Sequence, residues 1–172
     1  MINWQYYPKS DQIPEHLSKV VGSFKTNHQN FDSSFFTYKS DDVLAFLAND
    51  FIELGFKVET SKRKIDTVHV PVLFGLNGKL EKSFQADAYN ENTRTVIEVE
   101  AGRGVANYQF LKDLFQACIM HNVDYLVIAV RNVYSTVSST SKDFSKVLDF
   151  FDALFASGRL ILPLKGILII GY

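Results

Sequence analysis

The sequence has one cysteine, no long apolar run and almost no net charge, and each absence narrows what the protein can be. Cys118 is the only cysteine in 172 residues, so no intrachain disulfide can form, which fits a reducing cytoplasm. No apolar run reaches the ~18 residues that a membrane span needs. The first residues lack the basic start and apolar stretch of a secretory signal. We therefore expect a cytoplasmic protein without a membrane partner.

Site motifs of several common classes are also missing. The four histidines, at positions 16, 28, 69 and 121, show no zinc-binding spacing. There is no glycine-rich phosphate loop with its lysine, and no Gly-x-Ser-x-Gly turn around a nucleophilic serine. The formal net charge of -1 gives no overall attraction to nucleic acid, so any anion-binding surface must be local.

The sequence does contain the pattern of a globular α/β protein. It is 47% hydrophobic and 22% charged, which is typical of a chain with a packed core. After one N-terminal helix, periodicity predicts a second helix from an N-cap at Ser40 to a stop at Gly55, then three strands, a third helix and a buried strand. A fourth helix ends at Gly158, and one or two short strands close the chain. The hairpin and the later helical crossover predict a mixed central sheet flanked by helices.

We expect a single domain over residues 1–172, divided into an N-terminal helical extension (1–39), a core (40–131) and a C-terminal helix with strands (132–172). The third helix lies in "NYQFLKDLFQACIMH". Its predicted apolar stripe consists of Leu111, Leu114, Phe115 and Cys118.

Three acids lie in "FQADAYNENTRTVIEVEAG", a stretch that otherwise has the pattern of sheet core. Alternate residues of a strand share a face, so Glu98 and Glu100 point the same way. The hairpin can close in two registers, which place Asp87 opposite either Glu98 or Glu100. In both, Asp87 has its Cβ roughly 4.5–5.5 Å from that of a glutamate.

Opposed carboxylates in a partly dry site raise one another's pKa or need a cation between them. Hard divalent cations take carboxylate oxygens, and Mg²⁺ commonly uses one or two of them. The three acids are therefore a candidate metal site. The alternative is that one face of the hairpin is simply solvated.

These residues and the order of elements resemble the PD-(D/E)XK nuclease superfamily, which has the restriction-endonuclease-like fold. That family has an acid on the second core strand and acid-x-Lys on the third, and here Asp87 and Glu98-Val99-Glu100 match those positions. The resemblance covers roughly residues 40–131. It implies Mg²⁺-dependent hydrolysis of DNA phosphodiester bonds, with Mn²⁺ as a possible substitute metal.

The sequence departs from the family pattern at two positions. Ala86 stands where the family's name has proline, and Glu100 stands where it has lysine. Restriction endonucleases of the BamHI and BglII kind carry Glu or Gln at the second position, so Glu100 either fits that subgroup or marks a lost catalytic residue. Lys112, on the following helix, could supply the missing positive charge.

The resemblance also implies roles for the individual residues. Asp87 and Glu98 would bind the metal, with the Val99 carbonyl as a further ligand, and Glu100 would orient or deprotonate the attacking water. The family has another acid on its first core helix. Glu53 is the candidate for that position, and Asp50 is its rival because it falls on the apolar face of the helix.

DNA carries dense negative charge, so basic side chains should line its approach. The candidates are Lys62, Arg63 and Lys64 in a strand connection and Arg103 beyond the acidic strand. Nucleases that cut both strands often act as two-fold dimers, so a homodimer is possible. Two other functions stay open: a non-catalytic DNA-binding or assembly module of the same fold, and a small α/β protein whose acids are merely solvated.

Overall fold

A computed structural model describes residues 1–61, 63, 65–102, 105, 107–135 and 139–172. These residues form four α-helices and ten strands. In order they are β1 (Asn3–Tyr7), α1 (Glu15–Asn27), α2 (Ser40–Glu53), β2 (Lys57–Val58), β3 (Val68–Phe74), β4 (Leu80–Ala86), β5 (Ala88–Asn90), β6 (Thr95–Val99), α3 (Gln109–Ile119), β7 (Tyr125–Val130), β8 (Tyr134–Ser135), β9 (Thr140–Ser141), α4 (Asp143–Ser157) and β10 (Gly166–Gly171).

Six strands form a mixed central sheet in the order β1-β10-β7-β6-β5-β2. The three middle strands β10, β7 and β6 run parallel, whereas β1, β5 and β2 pair antiparallel with their neighbours. Strands β3 and β4 form a separate hairpin, and β8 and β9 a shorter one. The predicted α/β class with a mixed central sheet is confirmed.

Helices cover both faces of the central sheet. Residues of α1 and α2 pack on one face together with Ile97, Val99 and Val127, which we call the first core. Residues of α3 and α4 pack on the other face together with Val96 and Ile128, the second core. Strands β7 and β10 are apolar on both faces because both are covered, as expected for buried parallel strands.

Three details differ from the sequence prediction. Strand β1 was not predicted, because only its last two residues are buried and the pattern shows no alternation. Helix α2 begins at Ser40 rather than after it, and the N–H of the preceding Lys39 donates to the Asp42 carboxylate at 3.1 Å. The predicted second core strand is broken at Asp87, where the chain leaves the β3–β4 hairpin and enters β5.

The buried face of α3 is rotated from the predicted stripe. Phe115, predicted to be buried, is 63% exposed, so the prediction was wrong for this residue. The residues of α3 that are buried are Phe110, Asp113, Leu114 and Ala117. This rotation turns a carboxylate, Asp113, towards the sheet.

None of the described helices combines the length and the apolar character that a membrane crossing requires.

Candidate functional site

The β5–β6 hairpin brings Asp87 beside Glu98 of β6 and Glu100, which follows directly after that strand. Ala88 pairs with Ile97 and Asn90 with Thr95, which is the first of the two predicted registers. The Asn90 side chain helps to fix it, because its Oδ1 accepts the N–H groups of Asn92 and Thr93 in the turn. Asp87 lies one residue beyond the paired segment, at the position that faces Glu98.

A backbone hydrogen bond orients the Asp87 carboxylate. The N–H of Val99 donates to Asp87 Oδ2 at 2.7 Å. The Asp87 carbonyl in turn accepts the N–H of Glu59 at 2.8 Å, which extends the β2–β5 pairing. Because its main chain and its carboxylate are both tied to neighbouring strands, Asp87 is held in place even though it sits at a break in the strand.

The alternation of β6 directs Glu98 and Glu100 towards α3. Ile97 and Val99 lie in the first core and Val96 lies in the second, so the glutamates share the face that α3 covers. Both side chains are half-buried. They are therefore not simply solvated.

Helix α3 adds a fourth acid that the sequence analysis missed. Asp113 is only 2% exposed, and its Oδ2 has no hydrogen-bond partner among the described residues. A buried polar atom without a partner is rare and needs a physical explanation. A proton shared with a neighbouring carboxyl group, or a bound cation, would provide it.

Burial raises the pKa values of three of these acids. Burial, followed by the charge of Asp87, raises the pKa of Glu98 well above its usual range. Burial also raises the pKa of Glu100, to about 8, and a hydrogen bond with Asp113 acts in the same direction. Burial raises the pKa of Asp113 as well, although its contact with Glu100 acts in the opposite direction. Two interacting buried carboxyl groups titrate as a pair, and the pair binds its last proton more tightly than an isolated acid does.

Lys112 is the positive charge nearest to this cluster among the described residues. Its Nζ lies 3.6 Å from Asp113 Oδ1, and its charge acts against the raised pKa values of Glu98 and Glu100. The side chain is more than half exposed, so it screens the acids only in part. One lysine facing four carboxylates leaves an excess of negative charge that suits a divalent cation.

The donor set fits Mg²⁺ or Mn²⁺, which prefer carboxylate oxygens. Among the described residues, no three His, Cys, Asp or Glu side chains converge in a geometry that could hold a metal by themselves. Mg²⁺ does not need such a cage, because it usually keeps several waters and takes one or two carboxylates together with substrate phosphate. Asp87 and Glu98 are the pair that fits this pattern.

The predicted helix acids do not contact this cluster. Glu53 is exposed at the end of α2, and the Asp50 carboxylate accepts a hydrogen bond from Asn27 Nδ2 at 2.9 Å. Glu59, which the sequence analysis did not select, is the acid that strand pairing places opposite Asp87. Its side chain lines a cavity of about 180 Å³ against Leu44 of α2.

The basic candidates are only partly described. Lys62, Lys64 and Arg103 lie outside the described residues. Arg63 is exposed and pairs with Asp66 at 2.8 Å, so its charge is locally matched. Their role in DNA binding stays a prediction.

A signal for Asp113 was present in the sequence. Phe110, Leu114 and Ala117 recur at helical spacing, and Asp113 falls on the face they define. Choosing this stripe instead of the one through Phe115 would have placed the acid opposite β6.

No family model matches this sequence, and no curated protein sequence matches it. The fold is similar to that of the restriction endonuclease BglII in a crystal structure with a DNA 16-mer. The TM-score is 0.54 with 12% sequence identity, and the match covers 99% of this chain and 75% of BglII. This similarity shows that the chain has a restriction-endonuclease-like fold. At this identity it shows the fold alone.

Proposed function

We propose that this protein is a metal-dependent nuclease of the PD-(D/E)XK type that hydrolyses phosphodiester bonds within DNA. The observation that carries the proposal is the cluster of partly buried carboxylates, Asp87, Glu98, Glu100 and Asp113, in a restriction-endonuclease-like fold. A cluster of this kind is costly for folding unless it binds a cation. Perturbed carboxylates at one place are typical of an active site.

Asp87 and Glu98 would hold Mg²⁺, and the Val99 carbonyl would be a further ligand. Mg²⁺ bound there would polarise a phosphoryl oxygen of the substrate and lower the pKa of a bound water. The Val99 N–H keeps the Asp87 carboxylate in one orientation, so the ligand needs little rearrangement.

Glu100 is the proposed general base. Its pKa of about 8 lies close to neutral pH, where a base both exists in its charged form and accepts a proton readily. Glu100 then passes the accepted proton to Asp113 or shares it with Asp113. Lys112 would take the electrostatic role of the missing lysine, because its charge favours the ionised forms of Glu98 and Glu100.

DNA is the proposed partner, as it is for BglII in its crystal structure. Lys62, Arg63, Lys64 and Arg103 would meet its phosphates. A two-fold dimer of this chain would bring one active site to each strand.

The test is cleavage of supercoiled and linear DNA with Mg²⁺ or Mn²⁺ by the wild-type protein and by Asp87→Asn and Glu98→Gln. The amide in Asp87→Asn can still accept the Val99 N–H, so the fold should persist while the charge is lost. We expect the cleavage rate of each variant to be at least ~100-fold lower than that of the wild type. Glu91→Gln, in the exposed turn of the same hairpin, is the matched control and should cleave as the wild type does. Undiminished cleavage by both site variants would overturn the assignment.

A second candidate is a non-catalytic DNA-binding module of the same fold. Two observations favour it: Glu100 occupies the lysine position, and no three described side chains form a ready metal cage. Retention of duplex DNA with no cleavage under any tested metal would select this function.

A further inference from the structure

A cavity of about 730 Å³ opens where the acidic strand ends. Ala101 and Gly102, which directly follow Glu100, form one wall. Tyr38, Arg131 and Tyr134 form much of the rest. Ligands of α/β proteins commonly bind at the carboxyl ends of parallel strands, and both β6 and β7 end at this cavity.

Arg131 is a buried cation at the wall of this cavity. It is 5% exposed, yet no carboxylate of the described part of the chain lies within the 4 Å of an ion pair with it. Its Nη2 donates to the carbonyl of Tyr38, and its guanidinium lies 5.3 Å from the centre of the Tyr134 ring. Burial raises the pKa of Asp143, and the charge of Arg131 acts against this effect. A guanidinium held this way is positioned to receive an anion.

The same guanidinium is coupled to the backbone of Glu100. The Tyr172 hydroxyl donates to the Glu100 carbonyl at 2.9 Å. Burial raises the pKa of that hydroxyl, and the nearby charge of Arg131 acts against this effect. The Glu100 N–H donates to the Ala129 carbonyl at 2.7 Å. The cavity and the carboxylate cluster are thus connected through the backbone of Glu100.

We propose that Arg131 binds a phosphate of the DNA backbone on the same strand as the one that is cleaved and close to it. This inference rests on the proposed function, since it places the scissile phosphate at the carboxylates. Ala101 and Gly102 lie one and two residues beyond Glu100, which is at most ~7 Å along the chain. Because the cavity begins this close to Glu100, we expect the phosphate at Arg131 within about three nucleotides of the scissile one.

The chemistry of the cavity suits a phosphodiester. Arginine binds phosphate through two parallel N–H donors, and its stacking on Tyr134 keeps the planar group oriented. Lys39 also lines the cavity and adds a positive charge at its rim. Asp41 also lines the cavity.

The first experiment measures how DNA affinity depends on salt. All proteins carry Glu98→Gln so that the duplex stays intact. Loss of one phosphate contact lowers the slope of log affinity against log salt by ~0.9. We expect that decrease for Arg131→Gln, and none for Arg159→Gln, a matched control at the exposed end of α4. An unchanged slope for a folded Arg131→Gln protein overturns the inference.

A second variant covers the case in which Arg131→Gln does not fold. Tyr134→Glu places a carboxylate against the guanidinium from the half-exposed side of the cavity, and Tyr134→Gln is its uncharged control. The glutamate variant should lose the same slope of ~0.9, and the glutamine variant should keep it. Equal slopes for the two variants contradict a phosphate at Arg131.

A third measurement locates the phosphate. Single neutral methylphosphonates are placed at each position of one strand, and the affinity of each duplex is compared. For the wild-type site, one methylphosphonate within three nucleotides of the cleaved bond should lower the affinity of the duplex. The same methylphosphonate should not change the affinity of the duplex for Arg131→Gln. If cleavage is found but this pattern is absent, the phosphate site fails and the nuclease stands. If one position depends on Arg131 but no cleavage is found, the nuclease fails, and Arg131 is a phosphate contact of a non-catalytic DNA-binding protein.

Discussion

Glu100 should make the metal-free protein less stable as the pH rises. Its pKa is about 8 in the folded protein, against 4.5 as its ordinary value. The folded state therefore binds the Glu100 proton more strongly than the unfolded state does. Between these two pH values the unfolding free energy falls as the pH increases. Glutamine has no such proton, so Glu100→Gln should remove this part of the pH dependence.

The size of the effect follows from that difference in pKa. A difference of about 3.5 corresponds to ~5 kcal/mol at ~1.36 kcal/mol per unit. Solvent reaches part of the side chain, so we reduce this to about 2 kcal/mol. Relative to the wild type, Glu100→Gln should gain about 2 kcal/mol between pH 5 and pH 8.5.

The assay is urea denaturation in EDTA at several pH values, with the two proteins compared at each pH. The titration of distant groups cancels when the unfolding free energies of the two proteins are subtracted. The titration of Glu98 and Asp113 does not cancel, because both groups interact with Glu100. Glu91→Gln, in the exposed turn, should give a flat difference. A flat difference for Glu100→Gln as well would refute the reasoning, because Glu100 would then titrate as an exposed acid does. Mg²⁺ should stabilise the wild type most at pH 8.5, where the carboxylates are ionised.

Two further predictions concern α3. Asp113→Asn removes a charge and a hydrogen bond that raise the pKa of Glu100. The affinity for Mn²⁺, measured by titration calorimetry from pH 6 to pH 9, should therefore level off at a lower pH than in the wild type. An unchanged profile would show that Asp113 does not act on the metal site. Leu114→Ala should cost about 2–5 kcal/mol in urea denaturation, whereas Phe115→Ser should cost less than ~0.5 kcal/mol, because only Leu114 is buried. Equal costs would contradict the observed orientation of α3.

Much of the fold could be predicted because its signals are local. The apolar run of β7 predicts a strand buried on both faces, and Gly158 ends α4 with a positive φ of 59°. Strand β1 could not be found this way. Its outer residues are exposed on the edge of the sheet, and only its pairing with β10 makes it a strand.

The candidate site was predictable in part for a similar reason. Counting residues through the hairpin limited Asp87 to two positions, and the Asn90 turn selects one of them. Asp113 depends on how α3 is rotated against the sheet, which is set by tertiary packing. The hydrophobicity of Phe115 pointed to the wrong side of the helix, because a single exposed apolar residue carries little information about burial.

Strand β1 also has a consequence for solubility. It covers the backbone N–H and C=O groups along one side of β10, a strand with the sequence "GILIIG". Tyr7 fastens β1 to α4 by stacking on Phe155 and donating to the Asp152 carboxylate at 2.5 Å. Without these first residues, an apolar strand would present an unpaired edge to other copies of the chain, and such edges promote aggregation. Shortened versions of this protein should therefore begin before Asn3.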